Sequence, residues 1–327
     1  MDARAAFFSF PRAGNKDDPL ERMVAVVQWY MSGYHTKPKG CKKPYNPILG
    51  EHFYCRWQSD DFGTTQLLSE QVSHHPPISA FHVVNRQQNF VLDGCLQPRS
   101  KFMGNSAASI LEGHASLHFL NRGEEYIITF PSYVVKGILV GALKMEISGK
   151  TTIKCAQTGY TAEIEFKTKG TFFGRSDENA AKVLIKHGKD KLYSVAGRWD
   201  QVLTLKNEGT GEESEFFNAE TFPRAQKLVR KEEDQSEFES RRLWSNVTAA
   251  LKKNDQDTAT TEKTALEDAQ RATRNERKEK GEEWTPRFFK SDDGKRYTFK
   301  DANFSLYDQN EPFVPLDGRD GEYVAAE

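Results

Sequence analysis

From about residue 50 to residue 205 the chain alternates apolar and polar residues, segment after segment, with no helical pattern between the segments. The cleanest case is YTAEIEFK, where Tyr160, Ala162, Ile164 and Phe166 alternate with Thr161, Glu163, Glu165 and Lys167. A period of two puts each set on its own face of a strand. LEGHASLHF repeats the pattern, with Leu111, Gly113, Ala115, Leu117 and Phe119 opposite Glu112, His114, Ser116 and His118. TTIKCAQTG precedes Tyr160, and its QTG turn predicts a hairpin; EYIITF and YVVKGILVG add further strands. Many strands at short spacing predict an antiparallel sheet that curls into a barrel or sandwich. A sheet this wide leaves bad edges unless it closes. Closure around so many strands leaves an interior too wide for side chains alone, so a ligand cavity is expected. The 22 phenylalanines supply apolar surface for a core and a cavity lining together.

The flanks read differently. Asp18 as cap, Pro19 in the first turn and Met23, Val26, Val27 and Tyr30 on one face predict a helix over 19–33, ended by Gly33. A loop rich in lysine and proline follows, from Lys37 to Pro44. From about 228 the chain is charged and helical. SEFESRRLWSNVTAALKK predicts one helix capped by Ser236, with Leu243, Val247 and Leu251 at helical spacing. TEKTALEDAQRATRNERKEKGEEW predicts a second that stops at Gly281, and RFFKSDDGKRYTFKDANFSLYD a hairpin around DDGK. The expected organisation is a short N-terminal segment over 1–18 and a single domain over 19–327. Its barrel covers about 45–225 and its helical region about 228–327.

Charge and cysteines narrow the functional classes. A net charge of -1 gives no global attraction to nucleic acid, so none is expected as a partner. Cys41, Cys55, Cys95 and Cys155 form no CxxC pair, which favours a reduced, cytoplasmic protein over a zinc ribbon. No apolar run approaches the roughly eighteen residues of a bilayer span. MDARAAFFSFPRAG is too short in its apolar patch for a secretory leader.

The polar stretch EQVSHHPP, residues 70–77, concentrates fixed chemistry. Adjacent residues on an extended chain point to opposite faces, so His74 and His75 do not readily share one ion. No HExxH or cysteine pair lies nearby, and no metal site is assigned. No GxSxG elbow accompanies Ser73, so no catalytic residue is assigned and the chain is read as a non-enzyme. Two readings stay open on these residues: a pair of satisfied structural histidines, and an anion or ligand site. Pro76 and Pro77 stiffen the segment, which favours the second.

EQVSHHPP also resembles the fingerprint of the oxysterol-binding protein family of lipid transfer proteins. KKPYNPILGEHF (42–53), RWDQ (198–201), ESRRLWSNVTAAL (239–251) and EKTALEDAQRATR (262–274) resemble further family segments, so the resemblance runs from about Asp18 to the tail. It implies a mainly β fold with some α. That fold is a many-stranded, antiparallel, nearly closed β-barrel around an apolar tunnel, with an N-terminal helix and C-terminal helices. It implies an intracellular lipid transfer protein that binds phosphatidylinositol 4-phosphate and a sterol in one tunnel and exchanges them between membranes. A phosphatidylserine exchanger, or a lipid sensor without net transfer, is the alternative.

Carried over position by position, the resemblance assigns the lipid headgroup to Lys43 and Asn46, to His74 and His75, and to Lys263, Glu267 and Arg271. The last three stand at i, i+4 and i+8, a spacing that keeps them near one helix face. No cofactor is implied. Phosphoinositide, sterol and transient membrane surfaces are the implied partners, and the implied location is cytoplasmic and peripheral to membranes, at endoplasmic reticulum contact sites. The segment before Pro19, with RAAFFSF, is read either as a lid remnant or as a disordered terminus. ESEFFNAET (213–221) resembles the FFAT-type motif that docks on VAP receptors, with Asn218 and Thr221 in place of the usual acids.

Overall fold

The structure is a computed structural model and describes residues 12–36, 45–168, 178–222, 225–291, 293–301 and 311–316. Helix α1 spans Pro19–Ser32, with Pro19 at its start and the Asp18 carboxylate accepting the Leu20 N–H at 2.8 Å. The predicted face of Met23, Val26, Val27 and Tyr30 is buried, and so are Arg22, Trp29, Met31 and Ser32. A helix buried on most of its circumference must be surrounded.

What surrounds it is one sheet. Its strands are β1 (His52–Ser59), β2 (Gly63–His74), β3 (Pro77–Asn85), β4 (Phe90–Phe102), β5 (Ser106–Phe119), β6 (Glu124–Ile128), β7 (Ser132–Lys136), β8 (Lys144–Cys155), β9 (Tyr160–Phe166), β10 (Ala180–His187), β11 (Asp190–Arg198), β12 (Val202–Asn207), β13 (Glu213–Asn218) and β14 (Lys227–Arg230). Further on come α2 (Ser240–Leu243), α3 (Ser245–Lys252) and α4 (Gln256–Lys280). The last elements are β15 (Phe289–Lys290), β16 (Thr298–Phe299) and β17 (Phe313–Pro315). In this fifteen-stranded sheet the path runs from β13 through β12, β11, β10, β9, β8, β6, β5, β4, β3, β2, β1 and β14 to β17, and β7, off the path, bridges β5 and β8. Laid flat, such a path would be about 60 Å wide at ~4.8 Å per strand. Yet residues as far apart on it as Phe217 of β13, Ile128 of β6 and Val229 of β14 share one buried cluster with α1. α1 is only ~21 Å long. The sheet is therefore curled around the helix into the predicted antiparallel, nearly closed barrel with helices at both chain ends.

The barrel has two ends. At the far end lie the β3–β4 and β5–β6 turns and the start of α1. Arg22 makes a buried ion pair with Glu124, Arg122 reaches Asp17 at 2.8 Å, and Asn15 donates to Gln88 at 3.2 Å. At the near end lie the β2–β3 turn after His74, the β4–β5 turn after Phe102 and the β7–β8 loop after Lys136.

Several expectations are corrected. YVVKGILVG is strand only to Lys136, and residues 137–143 form a loop. The predicted single helix over 236–253 breaks at Trp244, whose backbone (φ -98, ψ 13) leaves the helical region. Its indole N–H is held by Glu51 Oε2 at 3.0 Å, a contact that fixes the kink. Ser236 is no cap; its hydroxyl meets His52 Nε2 at 2.8 Å. The FFAT-like segment is β13, paired with β12, and Phe216 and Phe217 are buried in the core. It is no exposed peptide for a receptor to grip. The proposed lid remnant, apart from residues 12–18, lies outside the described residues.

Candidate functional site

The near end collects most of the predicted headgroup residues, and local chemistry explains how. Within EQVSHHPP the first residues brace the turn. Gln71 donates to the Ser73 carbonyl at 2.8 Å and accepts from the Ser79 hydroxyl at 2.6 Å, and Ser73 Oγ donates to the Pro76 carbonyl at 2.7 Å. Glu70 is buried and accepts the backbone N–H groups of Arg287 and Phe288 at 2.6 and 2.9 Å, tying the C-terminal segment to the sheet. These polar groups are satisfied internally. The histidines are not enclosed: His74 is half-buried and His75 exposed.

The two imidazoles do not point to opposite faces. β2 ends at His74, so the strand alternation lapses at the turn. His74 Nδ1 lies 3.2 Å from His75 Nε2, with the rings edge to face at 4.6 Å. That contact occupies one nitrogen of each ring and leaves His74 Nε2 and His75 Nδ1 for a ligand. Burial, then His75 and the Arg274 guanidinium, hold the His74 pKa below the usual histidine range, against the pull of Glu267. No group of three metal-ligating side chains occurs among the described residues.

α4 brings its charged face to this turn. Asp255 caps it, its carboxylate accepting the Thr258 N–H at 3.0 Å, and Gly281 ends it in the left-handed conformation. Lys263 lies 3.5 Å from Glu267, as the i, i+4 spacing predicts. Glu267 in turn acts on His74. Arg271 is placed otherwise: its guanidinium pairs with Asp268, one turn back on the exposed surface. The guanidinium whose charge reaches His74 is that of Arg274, which the motif comparison did not single out.

Asn46 is exposed on a loop that is pinned at both ends of its described part. Tyr45 stacks on Trp244 at 4.6 Å and its hydroxyl meets Thr248 Oγ1 at 3.1 Å. Leu49 N–H donates to Gln270 Oε1 of α4 at 2.6 Å. Beneath the loop sits Glu51, a buried carboxylate that accepts from Ile48 N–H (3.0 Å), Trp244 Nε1 (3.0 Å) and Ser240 Oγ (2.7 Å). Gly50 has φ +82, and a Cβ there would come 2.8 Å from the Trp284 ring, so glycine is required. Lys43 lies outside the described residues. Glu51, Gln270 and Arg274 are the residues that sequence reasoning missed. Only the Gly-Glu closing KKPYNPILGEHF signalled one of them.

The family described as "Oxysterol-binding protein" matches residues 8–249 and 247–310. Human oxysterol-binding protein-related protein 5 is 45% identical over 287 residues, 86% of this chain and 32% of that protein. Oxysterol-binding protein 4 of Dictyostelium discoideum is 40% identical over 306 residues, 90% of this chain and 65% of that protein. The chain thus spans about a third of the length of the human relative. Among solved structures, the Osh1 ORD domain in complex with ergosterol aligns with a TM-score of 0.70 at 25% identity, covering 88% of this chain and 76% of that one. The Osh3 ORD in complex with PI(4)P, from Saccharomyces cerevisiae, aligns at 0.66 and 26% identity, covering 88% and 77%. Profile, relatives and fold agree over most of the sequence: the chain belongs to the oxysterol-binding protein family.

Proposed function

We propose that residues 19–327 act as one lipid transfer domain. It holds phosphatidylinositol 4-phosphate by its headgroup at the near end of the barrel. It takes a sterol in the same apolar tunnel in exclusive alternation, and exchanges the two lipids between membranes. The observation that carries this reading is the close His74–His75 pair, with His74 in the field of Glu267 and Arg274 of α4. The complexes of Osh1 with ergosterol and Osh3 with PI(4)P support the choice of lipids.

In this reading Lys43, Asn46, His74, His75 and Lys263 donate to phosphate oxygens, Arg271 joins them by exchanging Asp268 for the phosphate, and Glu267 orients Lys263 or Arg271 or accepts from inositol hydroxyls. Charge-assisted bonds of this kind contribute about 1.5–3 kcal/mol each. A bound phosphate opposes the groups that depress His74, so the imidazole takes up a proton and becomes a stronger donor. The acyl chains leave one hydrocarbon for another. Each methylene kept from water is worth about 0.8 kcal/mol in the bilayer and in an apolar tunnel alike, so selection falls to the polar mouth.

The test is extraction of phosphatidylinositol 4-phosphate from vesicles by His74→Ala with His75→Ala. The expected loss is at least about tenfold, a removed binding contribution of ~1.4 kcal/mol or more, with unchanged melting. Full extraction by the folded double variant would refute the headgroup assignment. Mass spectrometry of co-purified lipids addresses the second cargo: a sterol supports the exchange proposed, and phosphatidylserine in its place overturns the sterol half.

A further inference from the structure

Among the described residues, six of the eleven exposed large apolar side chains sit together at the near end of the barrel. Phe102 and Met103 occupy the β4–β5 turn, and Ile138, Leu139, Val140 and Leu143 the β7–β8 loop. Leu139 and Val140 are 70% and 77% exposed. Scattered apolar residues need no explanation, but a contiguous projecting group does. The two tips are one unit. Asn105 Oδ1 accepts the N–H groups of Leu139 and Val140 at 2.8 and 2.9 Å, and its amide donates to the Val140 carbonyl at 3.0 Å. Gly137, at φ +77, lies so close to the Ala142 carbonyl that a Cβ would come within 2.2 Å, which holds the loop in one shape.

Register fixes where this unit stands. His74 pairs with Pro77, and Ser79 pairs with Leu96, so the histidine turn is level with about Pro98 on β4. β4 continues four residues further to Phe102, about 13 Å at strand rise, before the loop adds its own height. The apolar tips therefore project beyond the histidine turn at the same end of the barrel. Three lysines form their collar. Lys136 and Lys144 face each other across the neck of the loop, and Lys101 stands one residue below Phe102. Like charges opposite one another on a ladder are unfavourable. Here each is answered from below, Lys136 by Glu146 at 2.6 Å and Lys144 by Glu178. The carboxylates Glu112 and Glu146 lie farther from the tip than the lysines.

We infer that this tip is a membrane anchor. Its apolar side chains enter the interface of an anionic phospholipid bilayer while the lysine collar meets the lipid phosphates. A convex, rigid, apolar prominence with a basic rim fits a bilayer surface, whose apolar layer lies beneath a negative one. Docked this way, the barrel presents its near end to the membrane, so the lipid that the headgroup site takes has the shortest path out. The inference rests on the headgroup reading only for this last step.

The test uses the full chain and vesicles of phosphatidylcholine, with and without phosphatidylglycerol, free of phosphoinositide and sterol. Leu139→Asp with Val140→Asp should lower vesicle binding at least about tenfold with unchanged melting, because both side chains are exposed. Leu139→Phe with Val140→Ile should retain binding. Vesicle binding by the double Asp variant equal to that of the unaltered chain overturns the inference. So does a dimer in light scattering that the double Asp variant turns into a monomer, since the occupant is then a second copy. The two proposals separate cleanly. His74→Ala with His75→Ala should keep vesicle binding, and its loss of extraction with a silent tip variant would leave the headgroup reading standing and this one fallen.

Discussion

The two ends of the barrel use polar and charged side chains to opposite effect. At the far end Arg22 and Glu124 are almost wholly buried, and every arm of the pair is answered. Arg22 Nη1 donates to the carbonyls of Lys16 and Asp17 at 2.7 and 2.8 Å, and Tyr126 donates to Glu124 Oε2 at 2.9 Å. At the near end His74, His75, Lys263 and Asn46 remain half or fully exposed, with a few weak contacts among them. Saturated and buried, charge closes a barrel; exposed and loosely paired, it stays available to a ligand. Removing the buried carboxylate at the far end tests the first half. Glu124→Ala leaves a buried guanidinium short of its partner and should lower stability by about 3–5 kcal/mol in chemical denaturation. The folded fraction should extract phosphoinositide normally. A loss under ~1 kcal/mol would mean the far end is not what closes the barrel.

The near end has its own buried carboxylate, one layer below the exposed donors. Glu51 answers a backbone N–H from the Asn46 loop and a hydroxyl and an indole from the two ends of α2. Glu51→Ala strands these groups at about 1–3 kcal/mol for each one left buried, so a loss of about 2–4 kcal/mol is expected. Unlike Glu124→Ala, it should also weaken phosphoinositide binding, because the Asn46 loop and α3 lose their common anchor. Calorimetric titration of the folded variant with a short-chain phosphoinositide reads this directly. Unchanged affinity would show that the mouth does not depend on the layer beneath it.

What was legible in the sequence follows physical range. Period-two alternation revealed the strands because each half-buried strand carries its own pattern, and the Asp18–Pro19 start of α1 is equally local. The break at Trp244 was not legible, since its cause is a carboxylate 193 residues away in sequence. FFNAET matches a docking motif as a string, yet the fold turns Phe216 and Phe217 inward, which no six-residue window reveals. At the mouth the helical spacing correctly joined Lys263 to Glu267. It did not distinguish Arg271, which turns to Asp268, from Arg274 one turn on. Choosing between two arginines requires knowing how α4 rolls on the barrel, and that is set by contacts such as Leu49 with Gln270.

The smallest of the three effects concerns protons under the mouth. His52 is buried, with Nε2 2.8 Å from Ser236 Oγ and its ring against Phe288. Burial first, then the charges of Arg287 and Arg230, push its pKa down to about 4, against a backbone contact to the Gly50 carbonyl. Unfolded, it would titrate near 6.5. Between those values the unfolded chain binds a proton that the folded chain refuses, so stability falls as pH drops from about 6.5 to about 4. Glu239, beside it in the same layer, is pushed the other way, up to about 7, chiefly by burial. The folded chain keeps that proton, so its contribution is present in acid and is lost as pH rises from about 4.5 through 7. The two slopes oppose each other in the shared window and flatten the profile. His52→Gln removes one of them. Relative to the unaltered chain it should gain on the order of 2–3 kcal/mol as pH is lowered from 7 to 4. Denaturation at the two pH values measures the change, and parallel profiles for the two proteins would show that His52 is not held neutral by the fold.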